Sequence, residues 1–142
     1  INFNKELYPK FKDRITHIVI ENEPENIVST DPNSEEISNQ SIYRLNAAKR
    51  IELQRNSLAQ VFDKINYEDW IIYSDSDEIP NLTNLNFREI NKKFLLFKQS
   101  MFYYKFNLKL PNFIWTGTKA CKKKNLFSPQ WLRNIKAKNR RN

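Results

Sequence analysis

Gly117 is the only glycine in a chain of 142 residues, where average usage would supply roughly ten. A chain so poor in glycine lacks the loops that bring backbone amides up to phosphate groups, so neither a P-loop nor a dinucleotide-binding fingerprint is present. The one glycine sits within Trp115-Thr116-Gly117-Thr118-Lys119. In a strand context a lone glycine marks a bulge or a close approach of backbone to a ligand. Trp115 offers an apolar plate to a sugar ring there, although a core tryptophan beside an ordinary turn fits the same residues.

Charge divides the chain in two. All 16 acidic residues lie at or before Glu89, so residues 1–89 carry −6, whereas residues 90–142 hold 14 basic residues and no acid, or +14. With 39% hydrophobic and 13% aromatic residues, the composition is that of a folding chain and not of a disordered one. Its length suits a single domain over residues 1–142. Cys121 is the only cysteine, which excludes an internal disulfide, leaves no Cys/His zinc cluster, and makes a reducing, cytoplasmic compartment the default. No apolar run approaches the ~18 residues of a membrane helix, and the first residues do not read as a signal peptide. The chain begins with Ile1, which predicts that it starts inside a longer product.

Periodicity predicts an α/β order. Ile15 to Glu21 is β-branched and apolar, like a strand buried on both faces of a mostly parallel sheet, with His17 a satisfied core residue. Residues 22–40 are acidic and polar and predict an exposed loop. Ser41 then caps a helix running to about Ile65, with Ile51, Leu58, Phe62 and Ile65 on its apolar stripe. Trp70 to Ser74 predicts a second short buried strand, and Asn81 to Lys93 a short helix. Tyr104, Phe106, Leu108 and Leu110 alternate with polar residues as in a half-buried strand, and Phe113 to Thr118 predicts another. Residues 119–142 read as a basic tail with a helical turn after Pro129.

Asp75-Ser76-Asp77-Glu78 carries the strongest chemical signal. It directly follows an apolar strand, and ligands of open α/β sheets gather beyond the carboxyl ends of the strands. In extended backbone Asp75 and Asp77 point the same way and share one hard divalent cation, Mg²⁺ or Mn²⁺, whose shell is completed by water and substrate phosphates. An isolated Asp-x-Asp is common by chance, and an acidic turn that merely ends a strand is the simpler reading. The preceding strand and the following Glu78-Ile79-Pro80 favour a site. Arg55 falls along the helix's apolar stripe, in a row with Ala48, Glu52 and Ala59. There it either presents its planar donors to a phosphate or makes a plain surface ion pair with Glu52. The basic run Lys122-Lys123-Lys124 and the later Arg133, Lys136, Lys138, Arg140 and Arg141 are able to hold an anionic surface or nucleic acid, although such runs are usually just solvated and no fold motif supports sequence readout.

Four segments together resemble glycosyltransferase family 17, the β-1,4-mannosyl-glycoprotein 4-β-N-acetylglucosaminyltransferase family. They are Phe11 to Val19, Glu52-Leu53-Gln54-Arg55-Asn56, Trp70 to Pro80 with its Ser-Asp-x-Asp-Glu-Ile-Pro element, and Trp115 to Lys119. The resemblance spans most of the chain. It implies a GT-A-like nucleotide-diphospho-sugar transferase fold, with a mostly parallel central sheet flanked by helices. It further implies inverting transfer of a sugar from a nucleotide-sugar, UDP-N-acetylglucosamine first, to a glycan acceptor. Asp75 and Asp77 would hold the cation at the donor diphosphate, and Arg55 would neutralise phosphate or orient a site carboxylate. Trp115 and Lys119 would contact donor or acceptor, and Glu78 is the nearest carboxylate for the base. The family's initial strand with its Asn-Glu element and its terminal Trp-His-Phe-Ser element have no counterpart here, so the resemblance implies the middle of a transferase domain. The rival expectations are a basic nucleic-acid-binding module with a structural acidic turn, and a metal-dependent phosphotransferase or nuclease.

Overall fold

The computed structural model describes residues 3–105 and 107–137, and the chain divides into two units, Ile1–Leu58 and Ala59–Asn142.

The first unit is built on one helix, α1 (Glu36–Asn56), preceded by two 3₁₀ turns at Lys5–Leu7 and Lys12–Arg14. α1 begins five residues before the expected cap. Asp31 prepares its start: its carboxylate accepts from the Asn33 N–H at 2.9 Å, and its carbonyl accepts from the Asn39 side chain at 2.9 Å. Glu35 and Glu36 then place negative charge at the positive end of the helix dipole. Ser41 lies inside the helix and donates back to the Ile37 carbonyl at 3.1 Å, the alternative use of a hydroxyl that competes with capping. After Asn56 the chain tightens into a 3₁₀ segment, Ser57–Lys64, in place of the long α-helix expected to Ile65.

Residues 15–21 form no strand. β-branched composition supplies only half of what a strand needs, the other half being a backbone to pair with. Val19 is 66% exposed, and His17 is exposed, its ring edge-on to Phe3 at 5.2 Å, not in a core. The one buried residue of α1 is polar: Asn46 accepts from the Val28 N–H at 3.1 Å and donates to the Val28 carbonyl at 2.7 Å. A side-chain amide thus satisfies both backbone groups of Val28 in the loop that precedes α1.

The second unit holds the five strands found among the described residues: β1 (Trp70–Tyr73), β2 (Phe94–Leu96), β3 (Gln99–Phe102), β4 (Lys109–Trp115) and β5 (Lys119–Lys122). They form a three-stranded sheet in the order β1-β5-β2 and a two-stranded sheet β3-β4. Every pairing is antiparallel, which overturns the expected mostly parallel, GT-A-like sheet flanked by helices. A parallel neighbour for β1 would need a crossover of a dozen or more residues, usually a helix. The segment expected to supply one, residues 81–93, is a chain of turns, closed by the Leu85 N–H to Leu82 carbonyl bond at 3.1 Å and the Glu89 N–H to Asn86 carbonyl bond at 3.1 Å. The indole of Trp70 pins it by donating to the Phe87 carbonyl at 3.1 Å.

Tyr104, Lys105, Asn107 and Leu108, expected within one strand, lie between β3 and β4, where the Tyr103 N–H donates to the Leu108 carbonyl at 3.0 Å and Tyr104 is left-handed at φ 59°. Phe106, part of that alternation, lies outside the described residues, as do Lys138, Arg140 and Arg141.

The stretch read as the start of a basic tail is the middle of the sheet. Ala120 and Cys121 of β5 are fully buried, flanked by Ile71 and Phe94 opposite Cys121 and by Ile72 and Leu95 opposite Ala120. A 3₁₀ turn at Lys123–Asn125 leads to α2 (Pro129–Asn134). There the Ser128 hydroxyl accepts from the Trp131 N–H at 3.1 Å, and Pro129 at the first turn supplies a pre-set φ without wasting a donor. α2 drops Leu132, 1% exposed, onto Tyr73 and Cys121, with Phe94, Leu126, Trp131 and Ile135 packed around them. Burying that leucine stabilises the unit by about 2 kcal/mol. Because α2 lies on β1 and β5, the next residue, Arg133, is carried to the end of β1. No helix among the described residues is long and apolar enough to cross a membrane.

Candidate functional site

β1 ends at Tyr73, and the chain turns back at once. The Glu78 N–H donates to the Asp75 carbonyl at 3.0 Å, closing a turn with Ser76 and Asp77 at its corner. Ser74 braces the turn by donating to the Glu78 carbonyl at 2.8 Å and sharing a 2.6 Å hydrogen bond with the Thr118 hydroxyl. The Glu78 carboxylate folds back and accepts from the Asp75 N–H at 3.1 Å. A turn in place of extended backbone removes the geometry that would aim Asp75 and Asp77 together. Asp75 is brought to Glu78, and Asp77 is exposed at the corner.

Arg133 lies between the two gathered carboxylates. Its Nη1 and Nη2 donate to Glu78 Oε2 and Oε1, each at 2.8 Å, and Nη2 also donates to Asp75 Oδ2 at 2.8 Å. This is the forked recognition of a carboxylate that a guanidinium makes and an ammonium does not. The Tyr73 hydroxyl donates to Asp75 Oδ1 at 3.1 Å, and the Trp115 indole donates to Glu78 Oε1 at 2.6 Å. The guanidinium carbon stands 5.7 Å from the centre of the Trp115 ring, within cation–π range. The Arg133 and Glu78 side chains are only 11% and 6% exposed, and that of Asp75 is 31% exposed.

These contacts set the charge states. Burial by itself would push the Glu78 carboxyl up, but Arg133, the Trp115 indole and the Asp75 N–H together hold it below its ordinary value. Burial likewise works against the Arg133 cation, and Glu78 and Asp75 more than restore it. Glu78 is therefore a committed anion with both oxygens engaged, the opposite of what a general base requires.

Gly117 belongs to the same cluster. A Cβ there would lie 1.7 Å from Glu78 Oε1 and 2.2 Å from Trp115 Nε1. The chain's single glycine thus leaves room for an internal hydrogen bond, so the close approach it marks is to Glu78 and Trp115.

Beside the cluster opens a cavity of about 860 Å³, with Lys98, Trp115, Gly117, Lys119, Arg133 and Lys136 in its wall and no acidic residue among those lining it. Lys119 is 6% exposed, and its ammonium donates to the Arg133 carbonyl at the end of α2, a favourable place for a cation. Lys98 and Lys136 are exposed.

Of the residues expected at a site, Asp75, Glu78 and Trp115 are in direct contact with Arg133 or with each other, and Lys119 borders the same cavity. Arg55 lies at the end of α1 in the first unit. The sequence pattern groups Arg133 with the basic tail. The available signal was an arginine among lysines, five residues after a Ser-Pro helix start. Asp75 and Asp77 do not fit a divalent cradle, since both Asp75 oxygens are bonded to Arg133 and Tyr73. Among the described residues no three Asp, Glu, His or Cys side chains converge on one point. Comparison with family models, curated proteins and solved structures finds no match to this chain.

Proposed function

We propose that the second unit binds the nucleotide-diphosphate part of a sugar donor, as the donor module of an inverting glycosyltransferase. The carrying observation is the acid-free cavity beside Trp115, with the exposed Lys98 and Lys136 among its lining residues. Exposed cations able to reach two phosphates, next to an aromatic face that takes a base or sugar ring, suit an anion with a flat or apolar end. The resemblance of Trp70 to Pro80 and of Trp115 to Lys119 to the transferase family points the same way. In this reading Arg133, Asp75 and Glu78 hold Trp115 in place. Asp77 is the carboxylate of the turn left exposed to solvent, outside the lining of the cavity. Calorimetric titration of the full chain with UDP, UDP-N-acetylglucosamine and GDP-mannose tests this. One of them should bind, and Lys98→Ala with Lys136→Ala should weaken it about tenfold or more, the loss of two charge-assisted contacts. If none binds, with or without Mn²⁺, the reading is wrong.

A second reading has its own support in the β3-β4 hairpin. Phe102, Tyr103 and Tyr104 are 43%, 45% and 99% exposed, with Lys98, Lys105 and Lys109 exposed alongside. Single-stranded nucleic acid is held by such stacking faces set among cations, with a steep salt dependence. Loss of oligonucleotide binding in Tyr104→Ala, with the UDP titration flat, would favour it.

A further inference from the structure

We propose that Arg133 is the resident cation of the acidic turn: it takes the place that a divalent ion would need at Asp75, and guanidinium and metal ion exclude each other there. The proposal rests on the donor reading only in naming the ligand whose binding becomes metal-independent.

The turn gathers Asp75, Asp77 and Glu78 within four residues, and such a group needs a counter-charge. Arg133 provides it with three hydrogen bonds of 2.8 Å to two of the carboxylates. The guanidinium is wedged between a 6% exposed carboxylate and the Trp115 ring, so it cannot swing into solvent without leaving Glu78 buried and unpaired. A divalent ion at Asp75 Oδ2 would sit within a hydrogen-bond length or two of that guanidinium, where like charges repel strongly and water screens poorly. Mg²⁺ and Mn²⁺ demand a near-ideal shell of oxygens, and each Asp75 oxygen already accepts a hydrogen bond, Oδ1 from Tyr73 and Oδ2 from Arg133, so a metal would have to enter against a donor on either side. Arg133 also reaches the cavity wall, so one residue links the state of the turn to the ligand site.

The test uses the full chain, with Mn²⁺ as probe read by the electron paramagnetic resonance signal of the free ion. Wild type should leave the signal of the free ion undiminished. Arg133→Met, which keeps an apolar stem on Trp115 but removes the charge, should take up one Mn²⁺ per chain, and adding Asp75→Asn should abolish the uptake. Should Arg133→Met fail to fold by circular dichroism, Arg133→Lys serves in its place. A single ammonium cannot hold both carboxylates in a fork, so Mn²⁺ uptake should appear there too, more weakly. In wild type, UDP affinity should agree within about twofold between EDTA and Mn²⁺, since no metal mediates the contact. Stoichiometric Mn²⁺ uptake by wild type that is lost on Asp77→Asn overturns the proposal, as does a folded Arg133 variant that takes up none. A flat UDP titration under both conditions refutes the donor reading instead and leaves the Mn²⁺ result to judge Arg133.

Discussion

Replacing Gly117 with alanine adds one methyl group at a point already filled by the Glu78 carboxylate and the Trp115 indole. Its carbon would stand 1.7 Å from Glu78 Oε1, 2.2 Å from Trp115 Nε1 and 2.4 Å from Glu78 Cδ, far inside van der Waals contact, so the carboxylate has to move. Moving it breaks the 2.6 Å bond from Trp115, worth about 1.5–3 kcal/mol for a bond to a charged group. It also disturbs the two-point pairing with Arg133. Removing one partner of such a buried pair outright costs about 3–5 kcal/mol. Against this, alanine restricts the unfolded chain and returns about 0.4–1 kcal/mol. The net expectation is a loss of about 2–4 kcal/mol, a large part of the roughly 5–15 kcal/mol that holds a typical domain together. Urea unfolding followed by tryptophan fluorescence measures it, and a double-mutant cycle isolates the cause. In a Glu78→Ala background the obstructing carboxylate is gone and only the Trp115 indole still crowds the methyl, so Gly117→Ala should cost clearly less there than in the wild-type chain, the difference being a coupling of the size seen between touching residues, about 0.5–3 kcal/mol. An equal cost in both backgrounds, or a loss under about 0.5 kcal/mol in the wild-type chain, refutes the reasoning.

Acid should unfold the second unit through Glu78: its folded carboxyl is held below its ordinary value, so the stabilisation is present above that ordinary value and fades as pH falls through the lowered one. Glu78→Gln should flatten the low-pH arm of a fluorescence-monitored stability profile, and an unchanged arm would assign acid unfolding to other carboxylates. Glu68 is drawn down to about 2 by hydrogen bonds from Lys122 and Lys124, but it is exposed, so Glu68→Gln should alter that profile little and less still at high salt. The Cys121 thiol is pushed up to about 11 by burial and is fully covered in β5. A disulfide reagent at pH 8 should therefore label it only as fast as the unit opens and at full rate in urea, whereas prompt labelling of the native chain would contradict its place in the middle strand.

The local features of the second unit could be read along the chain. Trp70 to Tyr73 reads as a strand and Pro129 as the start of a helical turn, because each is decided by a few adjacent residues and their own hydrogen bonds. The expectations that failed share a cause. The β-branched run at residues 15–21 has no strand to pair with, and residues 81–93 carry apolar spacing but settle into turns anchored by a distant indole. Ser41 has two uses for its hydroxyl, and the acidic residues Asp31, Glu35 and Glu36 move the helix start upstream. At the site, Asp75, Glu78, Trp115 and Gly117 drew attention by residue type alone. What they do was not readable, since it depends on an arginine 55 and 58 residues further along.

The amino-acid sequence by itself determined where the charges lie, where an apolar strand meets an acidic turn, and that only one position was left without a side chain. The tertiary structure decided that β5 is the antiparallel partner of β1, because a strand's apolar pattern says which faces are buried and nothing about the direction of the chain beside it. It also decided that the acidic turn is neutralised from within, because α2 lands on β1 and β5 and delivers the Arg133 guanidinium to Asp75, which the linear pattern points at a metal ion, and to Glu78, which it points at a general base.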